Sequence, residues 1–388
     1  MPQKIFISTG EVSGDLQGAL LVSALKRQAA ETGIELEIAA LGGEGMARAG
    51  ATLLANTTKI GSVGLVESLP YVVSTLQVQQ KAKDYLRENP PDLVVLIDYM
   101  GPNLAIASYI RRQLPKTPIV YYIAPQEWVW SARASTTAQI VANCDLLLAV
   151  FPEEARYYRE KGANVQWVGH PLLDELPAMP TRDEARQSLG IEEGKIAVAL
   201  LPASREQEIK YLLPTMLEAA RILQDQIAEI HFWIPLSLET YRKPIAEAIA
   251  AKDLRATILD KNSSRLAIAS ADLAITKSGT VNLEIALLQV PQVVIYRVHP
   301  LTAWVMRRLL AFSIPFMSPP NLVEMKPVVP ELLQDQATSA NIVREAQELL
   351  QNSHRRQQIQ ASYRDMRRNL GEPGVCDRAA RAILSMLV

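Results

Sequence analysis

The chain has 388 residues, of which 48% are hydrophobic and 21% are charged, and its formal net charge is −1. This balance is typical of a globular protein with a substantial core, and the length predicts two domains. The 40 basic and 41 acidic residues give no basic excess, which argues against nucleic-acid binding. Two cysteines and four scattered histidines argue against a disulfide framework and a structural zinc site.

The N-terminus runs directly into a strand pattern, Ile5–Ser8, and the helical spacing of Leu16–Ala30 follows. We therefore expect no signal peptide. No apolar run approaches the ~18–20 residues that span a bilayer, so any membrane contact is expected to be peripheral.

Continuous apolar runs alternate with helical stretches through the first half. Leu93–Ile97, Ile119–Ile123 and Leu146–Val150 have no polar alternation, which is typical of parallel strands buried on both faces. Helices are predicted between them, near Leu104–Leu114 and Glu153–Lys161.

The proline-rich stretch His170–Pro180 reads as a linker, after which the alternation starts again with a strand at Ile196–Leu201. The pattern predicts an α/β fold of two doubly wound, Rossmann-like domains facing a cleft. We expect one α/β domain over 1–172, a second α/β domain over 173–345, and C-terminal helices over 346–388, whose return to the first domain stays open.

The loop Thr9–Asp15 (TGEVSGD) follows the first strand directly. Its glycines allow a ligand close to the backbone. Their spacing is not the dinucleotide fingerprint and no Walker lysine follows, so NAD and ATP are poorly supported. The structural alternative is a tight turn in which Ser13 or Asp15 caps the helix.

Asp98 ends the apolar run Leu93–Ile97, at the end of the strand where such folds place ligands. Partial burial would raise its pKa and suit it to general-base catalysis. The structural alternative is a cap for the turn before Gly101-Pro102-Asn103.

Two loops of the second half resemble phosphate sites. Arg205, after Ser204, falls in a first helical turn where the dipole disfavours a cation, and a bound pyrophosphate would resolve that conflict. The loop Ser278–Thr280 precedes a helix whose free amides suit a phosphate, and Glu284 is placed to accept hydrogen bonds from ribose hydroxyls. The structural alternative for Arg205 is a solvated side chain paired with a neighbouring glutamate. The structural alternative for Glu284 is a carboxylate that the helix dipole stabilises.

Three apolar segments have both a core interpretation and a ligand interpretation. Trp128-Val129-Trp130 would stack on a sugar or acyl chain, or pack in the core. Leu65–Leu76 and the basic, amphipathic Leu301–Phe312 would lie at an anionic membrane surface, or pack internally.

Eleven motifs in order resemble the lipid-A-disaccharide synthase family and span nearly the whole chain. They are TGEVSGD (Thr9–Asp15), GLVESL (Gly64–Leu69), LVVLID ending at Asp98, QEWVW (Gln126–Trp130), FPEEARYY (Phe151–Tyr158), VGHPLLDE (Val168–Glu175), LLPASREQEI (Leu200–Ile209), SGTVNLE (Ser278–Glu284), YRVHPLTAWVMRRL (Tyr296–Leu309), PPNL (Pro319–Leu322) and VPELLQ (Val329–Gln334).

The resemblance implies a glycosyltransferase type B fold and an inverting transfer, without metal or cofactor, from UDP-2,3-diacylglucosamine to 2,3-diacylglucosamine 1-phosphate. It also implies peripheral attachment at the cytoplasmic face of the inner membrane and a tendency to dimerise. By matching position, the general base is Asp98. The implied donor-site residues are Ser204, Arg205, Ser278, Gly279, Thr280, Glu284 and Asn321, and the implied acceptor-site residues are Glu11, Ser13, Gly14 and Asp15.

The chain departs from the family pattern at several positions. The second acid that often follows the first is absent from Asp98–Asn103, Ala203 replaces a usual glycine, and a basic residue is missing after Asn321. These departures bear on acyl-chain and acceptor preference more than on the class of donor.

Two alternatives stay open from the sequence. One is another UDP-N-acetylglucosamine-using transferase or epimerase of the same fold, which a requirement for acyl chains would exclude. The other is a catalytically silent homologue, which would bind UDP without turnover.

Overall fold

The computed structural model describes residues 2–58, 71–129, 134–202, 206–299, 302, 304 and 314–387. The chain forms two compact units, one of Met1–Asp174 with Asn369–Val388 and one of Glu175–Met306 with Ile314–Arg368. The change of unit at Asp174 lies close to the boundary expected at 172. The C-terminal residues are divided, because those up to Arg368 belong to the second unit and the final segment belongs to the first.

The first unit is built on a seven-stranded parallel sheet of order β3-β2-β1-β4-β5-β6-β7. Its strands are β1 (Gln3–Ser8), β2 (Leu36–Gly42), β3 (Thr52–Asn56), β4 (Leu93–Ile97), β5 (Ile119–Tyr122), β6 (Leu146–Ala149) and β7 (Val165–Trp167). Its helices before the change of unit are α1 (Glu11–Thr32), α2 (Glu44–Arg48), α3 (Val72–Glu88), α4 (Met100–Gln113), α5 (Ala134–Asn143) and α6 (Pro152–Glu160).

The second unit has a six-stranded parallel sheet of order β10-β9-β8-β11-β12-β13. Its strands are β8 (Ile196–Leu201), β9 (Ile230–Pro235), β10 (Ala256–Leu259), β11 (Leu273–Lys277), β12 (Gln292–Tyr296) and β13 (Glu331–Leu333). Its helices are α7 (Arg182–Ser188), α8 (Glu206–Gln226), α9 (Arg242–Ala250), α10 (Ser264–Ser270), α11 (Val281–Leu287), α12 (Pro319–Glu324), α13 (Ser339–Gln351) and α14 (Ser353–Asn369).

The central strands are fully buried, as their unbroken apolar sequences predict. All five residues of β4 are inaccessible to solvent, and β5 and β6 are buried throughout. Helices on both faces leave no place for a charged side chain along these strands, so charged groups gather at the strand ends.

The last helix, α15 (Val375–Leu384), returns to the first unit and packs against α1. Arg27 of α1 and Asp377 of α15 form an ion pair at 2.6 Å. The Asp174 carboxylate accepts hydrogen bonds from the backbone N–H groups of Gly374, Val375 and Cys376, at 2.6, 3.0 and 2.8 Å. Asp174 therefore caps the start of α15 and fixes the C-terminal segment in the first unit.

The buried His170 links the chain before Asp174 to the C-terminal segment of the first unit. The backbone N–H of His170 donates to the carbonyl of Leu370 at 2.9 Å, after the left-handed Gly169. The His170 Nδ1 accepts the backbone N–H of Leu172 at 3.3 Å, which requires a neutral ring. Burial lowers the pKa of His170 to about 3.

The buried, neutral His170 makes the protein sensitive to acid. Because the pKa is depressed in the folded state, the unfolded chain binds more protons below about pH 6.5, and stability is lost as the pH falls from there towards 3. We expect His170 to account for a loss of about 2–3 kcal/mol between pH 7 and about pH 4.5.

Urea unfolding at the two pH values measures this loss. His170→Asn keeps an acceptor for Leu172 and removes the titration, so its stability should fall less on acidification than that of the wild type. His354→Asn, an exposed position on α14, is the matched control and should behave as wild type. An equal acid dependence in His170→Asn would contradict the assignment.

Candidate active site

In both sheets the order of the strands reverses direction between two central strands. The connections after β1 and β4 leave towards opposite edges of the first sheet, and those after β8 and β11 do the same in the second. Doubly wound folds bind ligands at the carboxyl ends of these strand pairs. The four loops singled out in the sequence follow these four strands.

The loop after β1 lies against the loop after β4. A Cβ on Gly10 would lie 2.6 Å from the ring of Tyr99, and one on Gly14 would lie 2.0 Å from Oγ1 of Thr9. Neither position has room for a side chain. The two glycines of TGEVSGD therefore serve close packing, and the acceptor-site role of Gly14 stays a prediction.

Asp98 has a strained backbone at the end of β4. Its φ is 46° and that of Tyr99 is 49°, two consecutive residues in the left-handed region. Such conformations persist only where the surroundings enforce them, and they gather at functional sites. Asp98 is exposed and does not meet the condition of partial burial, since the left-handed turn aims the residue outwards from the buried strand, and its role as general base stays a prediction.

Backbone hydrogen bonds enforce the Asp98 conformation. Its N–H donates to the carbonyl of Ile123 at 3.0 Å, and its carbonyl accepts from the Tyr121 hydroxyl at 2.7 Å and from Asn103 Nδ2 at 2.8 Å. Asn103 is fully buried and also accepts the Ser8 hydroxyl at 2.7 Å. Asn103 thus ties the ends of β1 and β4 together, a role that its place in the turn after Asp98 did not reveal.

Glu154 fixes the neighbouring strand ends. This buried carboxylate of α6 accepts backbone N–H groups from Ala124, Val150 and Phe151 at 3.1, 2.8 and 3.2 Å. Burial raises the pKa of Glu154 to about 7, although the three N–H donors favour the carboxylate. Ala124 follows Ile123, so Glu154 supports the carbonyl that accepts the Asp98 N–H.

The acceptor-site candidates on α1 divide into two kinds. Asp15 accepts the N–H groups of Gly43, Gly45 and Met46 at 2.8, 2.9 and 3.0 Å, so both carboxylate oxygens cap α2. The Ser13 hydroxyl makes no hydrogen bond within the described part of the chain. Glu11 is partly exposed and begins α1 with a φ of 65°.

The donor-site loop after β11 is anchored on both sides. The Ser278 hydroxyl donates to the carbonyl of Met317 at 2.7 Å, and the Gly279 N–H donates to Asn282 Oδ1 at 2.7 Å. Asn282 is buried and is itself held by Gln292 at 2.9 Å. Among the described residues, none forms a hydrogen bond with the Thr280 hydroxyl.

Glu284 lies one turn into α11, with its side chain 14% exposed. Burial raises its pKa, the charge of Arg265 opposes this rise, and the charge of Glu175 adds to it. Arg265 lies 3.8 Å from the Glu284 carboxylate. Within the described ranges, no group donates a hydrogen bond to the Glu284 carboxylate.

The side-chain amide of Asn321 forms hydrogen bonds within the protein through both its nitrogen and its oxygen. It is buried, its Nδ2 donates to the Val329 carbonyl at 2.9 Å and to Glu331 Oε1 at 2.8 Å, and its Oδ1 accepts the Val329 N–H at 2.8 Å. The amide of Asn321 therefore positions its loop, and a direct contact with the donor stays a prediction without geometric support.

Glu331, the first residue of β13, holds the loop that contains Asn321. The sequence did not reveal this role. Its carboxylate accepts the N–H groups of Met317 and Ser318 at 2.8 and 2.7 Å, the Ser318 hydroxyl at 2.6 Å, and Asn321 Nδ2. Since Met317 in turn accepts the Ser278 hydroxyl, β13 is linked to the donor-site loop through two hydrogen bonds. The only sequence signal was the place of Glu331 in VPELLQ.

Several predicted features lie wholly or partly outside the described residues. These are Ser204 and Arg205, residues 65–70 of the first apolar segment, Trp130, and most of Leu301–Phe312. Within the described part, Trp128 packs on Phe151 with ring centroids 5.8 Å apart, which favours the core interpretation for that side chain.

A depression of about 650 Å³ lies at the opposite, amino end of the second sheet. It is lined by Arg182, Arg186 and Asp272, whose side chains form ion pairs with one another. Asp272 pairs with both arginines, and the depression lies away from the carboxyl ends of the strands, so we do not treat it as a second candidate site.

Among the described residues, no group of three or more His, Cys, Asp and Glu side chains has the geometry of a metal site. No helix within the described ranges is long and apolar enough to cross a membrane.

Comparison with known proteins agrees with this architecture. The family model of lipid-A-disaccharide synthetase matches residues 5–386. The lipid-A-disaccharide synthase of Gloeothece citriformis is 57% identical over 98% of this chain and 99% of its own length. That of Synechocystis sp. is 55% identical over 98% and 97%.

Two solved structures share the fold at low identity. A UDP-N-acetylglucosamine 2-epimerase, described as putative, from Listeria monocytogenes has a TM-score of 0.69 at 14% identity, over 99% of this chain and 96% of its own. The UDP co-structure of MnaA from S. aureus has a TM-score of 0.67 at 13% identity, over 100% and 98%.

The two doubly wound units, with their candidate residues at the four central strand ends, have the glycosyltransferase type B fold, which confirms the predicted fold class. The chain belongs to the lipid-A-disaccharide synthase family. It is a glycosyltransferase of lipid A biosynthesis.

Glu331→Gln tests the anchor of the donor-site loop. Glutamine replaces one carboxylate oxygen by an amide that cannot accept a hydrogen bond, so one N–H of Met317 or Ser318 loses its partner in a partly buried place. We expect the free energy of unfolding to fall by about 1–3 kcal/mol in urea titrations. Glu229→Gln, which breaks an exposed pair with Lys195, should cost less than about 1 kcal/mol. Equal effects of the two variants would remove Glu331 from this role.

Proposed function

We propose that the protein transfers the 2,3-diacylglucosaminyl group of UDP-2,3-diacylglucosamine to the 6-hydroxyl of 2,3-diacylglucosamine 1-phosphate. The observation that carries the proposal is the enforced geometry of Asp98. An exposed carboxylate on a strained turn, held by buried Asn103 and Tyr121, has the rigidity that a general base needs.

In the proposed reaction, Asp98 takes the proton of the acceptor 6-hydroxyl. The oxygen forms a bond to the anomeric carbon of the donor as the bond from that carbon to the UDP oxygen breaks, and the configuration inverts. UDP leaves with the electron pair of the broken bond, and its developing charge needs stabilisation by cationic and N–H donors.

The second unit supplies the proposed donor site. Glu284 accepts hydrogen bonds from the ribose hydroxyls, which its uncommitted carboxylate oxygens support. The Thr280 hydroxyl and the backbone of Ser278–Thr280 hold the diphosphate, together with Arg205 and Ser204. Ser278 acts through its backbone, because its hydroxyl is bound to Met317.

The first unit supplies the proposed acceptor site. Ser13 and Glu11 contact the acceptor sugar or its phosphate, and Gly14 keeps the loop close to β1. Asp15 positions the loop before α2 rather than the acceptor, because its oxygens are occupied by backbone N–H groups.

The start of α3 supports an acylated acceptor and peripheral contact with a membrane. Val73 and Leu76 are 66% and 63% exposed, and Val72 is exposed beside them. Exposed apolar side chains grouped on one helical turn are unusual on a protein surface in water. We propose that they contact acyl chains at the membrane surface.

Asp98→Asn tests the base. Asparagine keeps the size of the side chain and cannot take the proton, so kcat should fall roughly 100- to 10,000-fold while UDP affinity stays unchanged. The assay measures disaccharide formation from the two acylated substrates without added metal, and titration calorimetry measures UDP binding.

Asp92→Asn is the matched control, since Asp92 lies at the other end of β4 and accepts the Lys4 N–H at 2.7 Å. It should keep wild-type turnover. If the wild type binds UDP and forms no disaccharide, the acceptor assignment fails. If Asp98→Asn turns over normally, Asp98 is not the base.

The double change Val73→Asp and Leu76→Asp tests the lipid contact. Charged side chains resist transfer to an apolar phase, so binding to phosphatidylcholine vesicles in a sedimentation assay should fall by roughly tenfold or more. Gln77→Asp with Gln80→Asp adds the same charge to the polar positions of α3 and should bind as wild type. Equal binding by all three proteins would place the membrane contact elsewhere.

A further inference from the structure

We infer that Arg265 is a positioning residue that holds Glu284 ionised and oriented towards the ribose of the donor. The inference rests on the proposed role of Glu284 in the donor site. It adds Arg265 and Glu175, neither of which the motifs of the sequence assign to nucleotide binding.

The three side chains come from three segments of the second unit. Arg265 lies on α10, Glu284 lies on α11, and Glu175 belongs to the 3₁₀ helix Pro171–Ala178. One guanidinium nitrogen, Nη2 of Arg265, lies 2.8 Å from Glu175 Oε2 and 3.8 Å from Glu284 Oε1. Their side chains are 26%, 23% and 14% exposed, so solvent screens these charges only in part.

The two distances give the two carboxylates different roles. The contact of Arg265 with Glu175 is a charge-assisted hydrogen bond, which fixes the guanidinium. The contact with Glu284 is too long for a hydrogen bond and acts through charge. Arg265 thus attracts the Glu284 carboxylate without using its acceptor capacity, and both oxygens remain for a pair of neighbouring hydroxyls.

The charges explain why Glu284 needs this partner. Burial disfavours the ionised form of Glu284, and Glu175 nearby carries the same charge. Without Arg265, the remaining carboxylates would repel each other, and Glu284 would bind a proton or turn away. A protonated or displaced Glu284 is a poorer acceptor for ribose hydroxyls.

The experiment compares binding of UDP and of 2′,3′-dideoxy-UDP by titration calorimetry. In Arg265→Met, the affinity for UDP should fall by roughly tenfold, the size of one hydrogen bond to a charged group. The affinity for the dideoxy nucleotide should stay unchanged, because it has no hydroxyls for Glu284. Arg265→Lys keeps the charge and should restore UDP affinity to within about threefold of the wild type.

A structural role alone predicts a different pattern. Arg182→Met is the matched control, since Arg182 pairs with Asp272 at the amino end of the same sheet, and it should leave both affinities unchanged. If Arg265→Met does not fold, Arg265→Gln keeps a polar side chain without the charge, and should weaken UDP selectively in the same way. Equal loss for both nucleotides, or no loss for UDP, overturns the inference.

Glu284→Gln separates this inference from the proposed function. If that variant binds UDP as tightly as the wild type, the ribose role of Glu284 fails and the inference falls with it. If Glu284→Gln weakens UDP selectively and Arg265→Met does not, the ribose role stands and Arg265 has no part in it. In steady-state assays Arg265→Met should raise the KM for the donor and leave kcat unchanged, because it acts on donor binding alone.

Discussion

The feature on which the rest depends is the reversal of strand order between two central parallel strands in each unit. The loops after β1 and β4 leave in opposite directions, and so do the loops after β8 and β11. This divergence opens space at the carboxyl ends of strands that are otherwise covered by helices. In the first unit, the chain must turn sharply to use that space. The left-handed Asp98 and Tyr99, and the glycines that admit Tyr99 and Thr9, are consequences of this geometry.

The strained conformation of Asp98 and Tyr99 persists because neighbouring groups hydrogen-bond to the Asp98 backbone. Asn103, Tyr121 and the Ile123 carbonyl together supply enough bonds to the Asp98 backbone to hold the turn. Without these hydrogen bonds, the Asp98 side chain would remain but would lose its fixed orientation.

The sequence predicted most of the central strands and the positions of the four loops, because continuous apolar runs and glycines are local signals. It did not identify the interior strand β2 or the edge strands β3, β7, β10 and β13. The edge strands are short and only partly buried, so their sequences lack an unbroken apolar run. The exposure of Asp98 could not be predicted, since it depends on a backbone turn that composition does not encode. Both features are decided by neighbouring segments.

For the same reason, the sequence could not show which polar site residues stabilise the fold and which ones are available to a substrate. Asp15 and Ser13 are two residues apart, and one caps a helix that begins 29 positions further on while the other keeps an uncommitted hydroxyl. Asn321, predicted at the donor site, bonds to Val329 and Glu331, and its contact with the donor stays a prediction. In both cases the hydrogen bonds that Asp15 and Asn321 make to the fold leave little capacity for a substrate. The side chains that can bind a substrate are those that the fold orients while leaving their hydrogen-bonding groups available. In the described part of the chain, Glu284 is the strongest example, because Arg265 attracts it from a distance that leaves both carboxylate oxygens available.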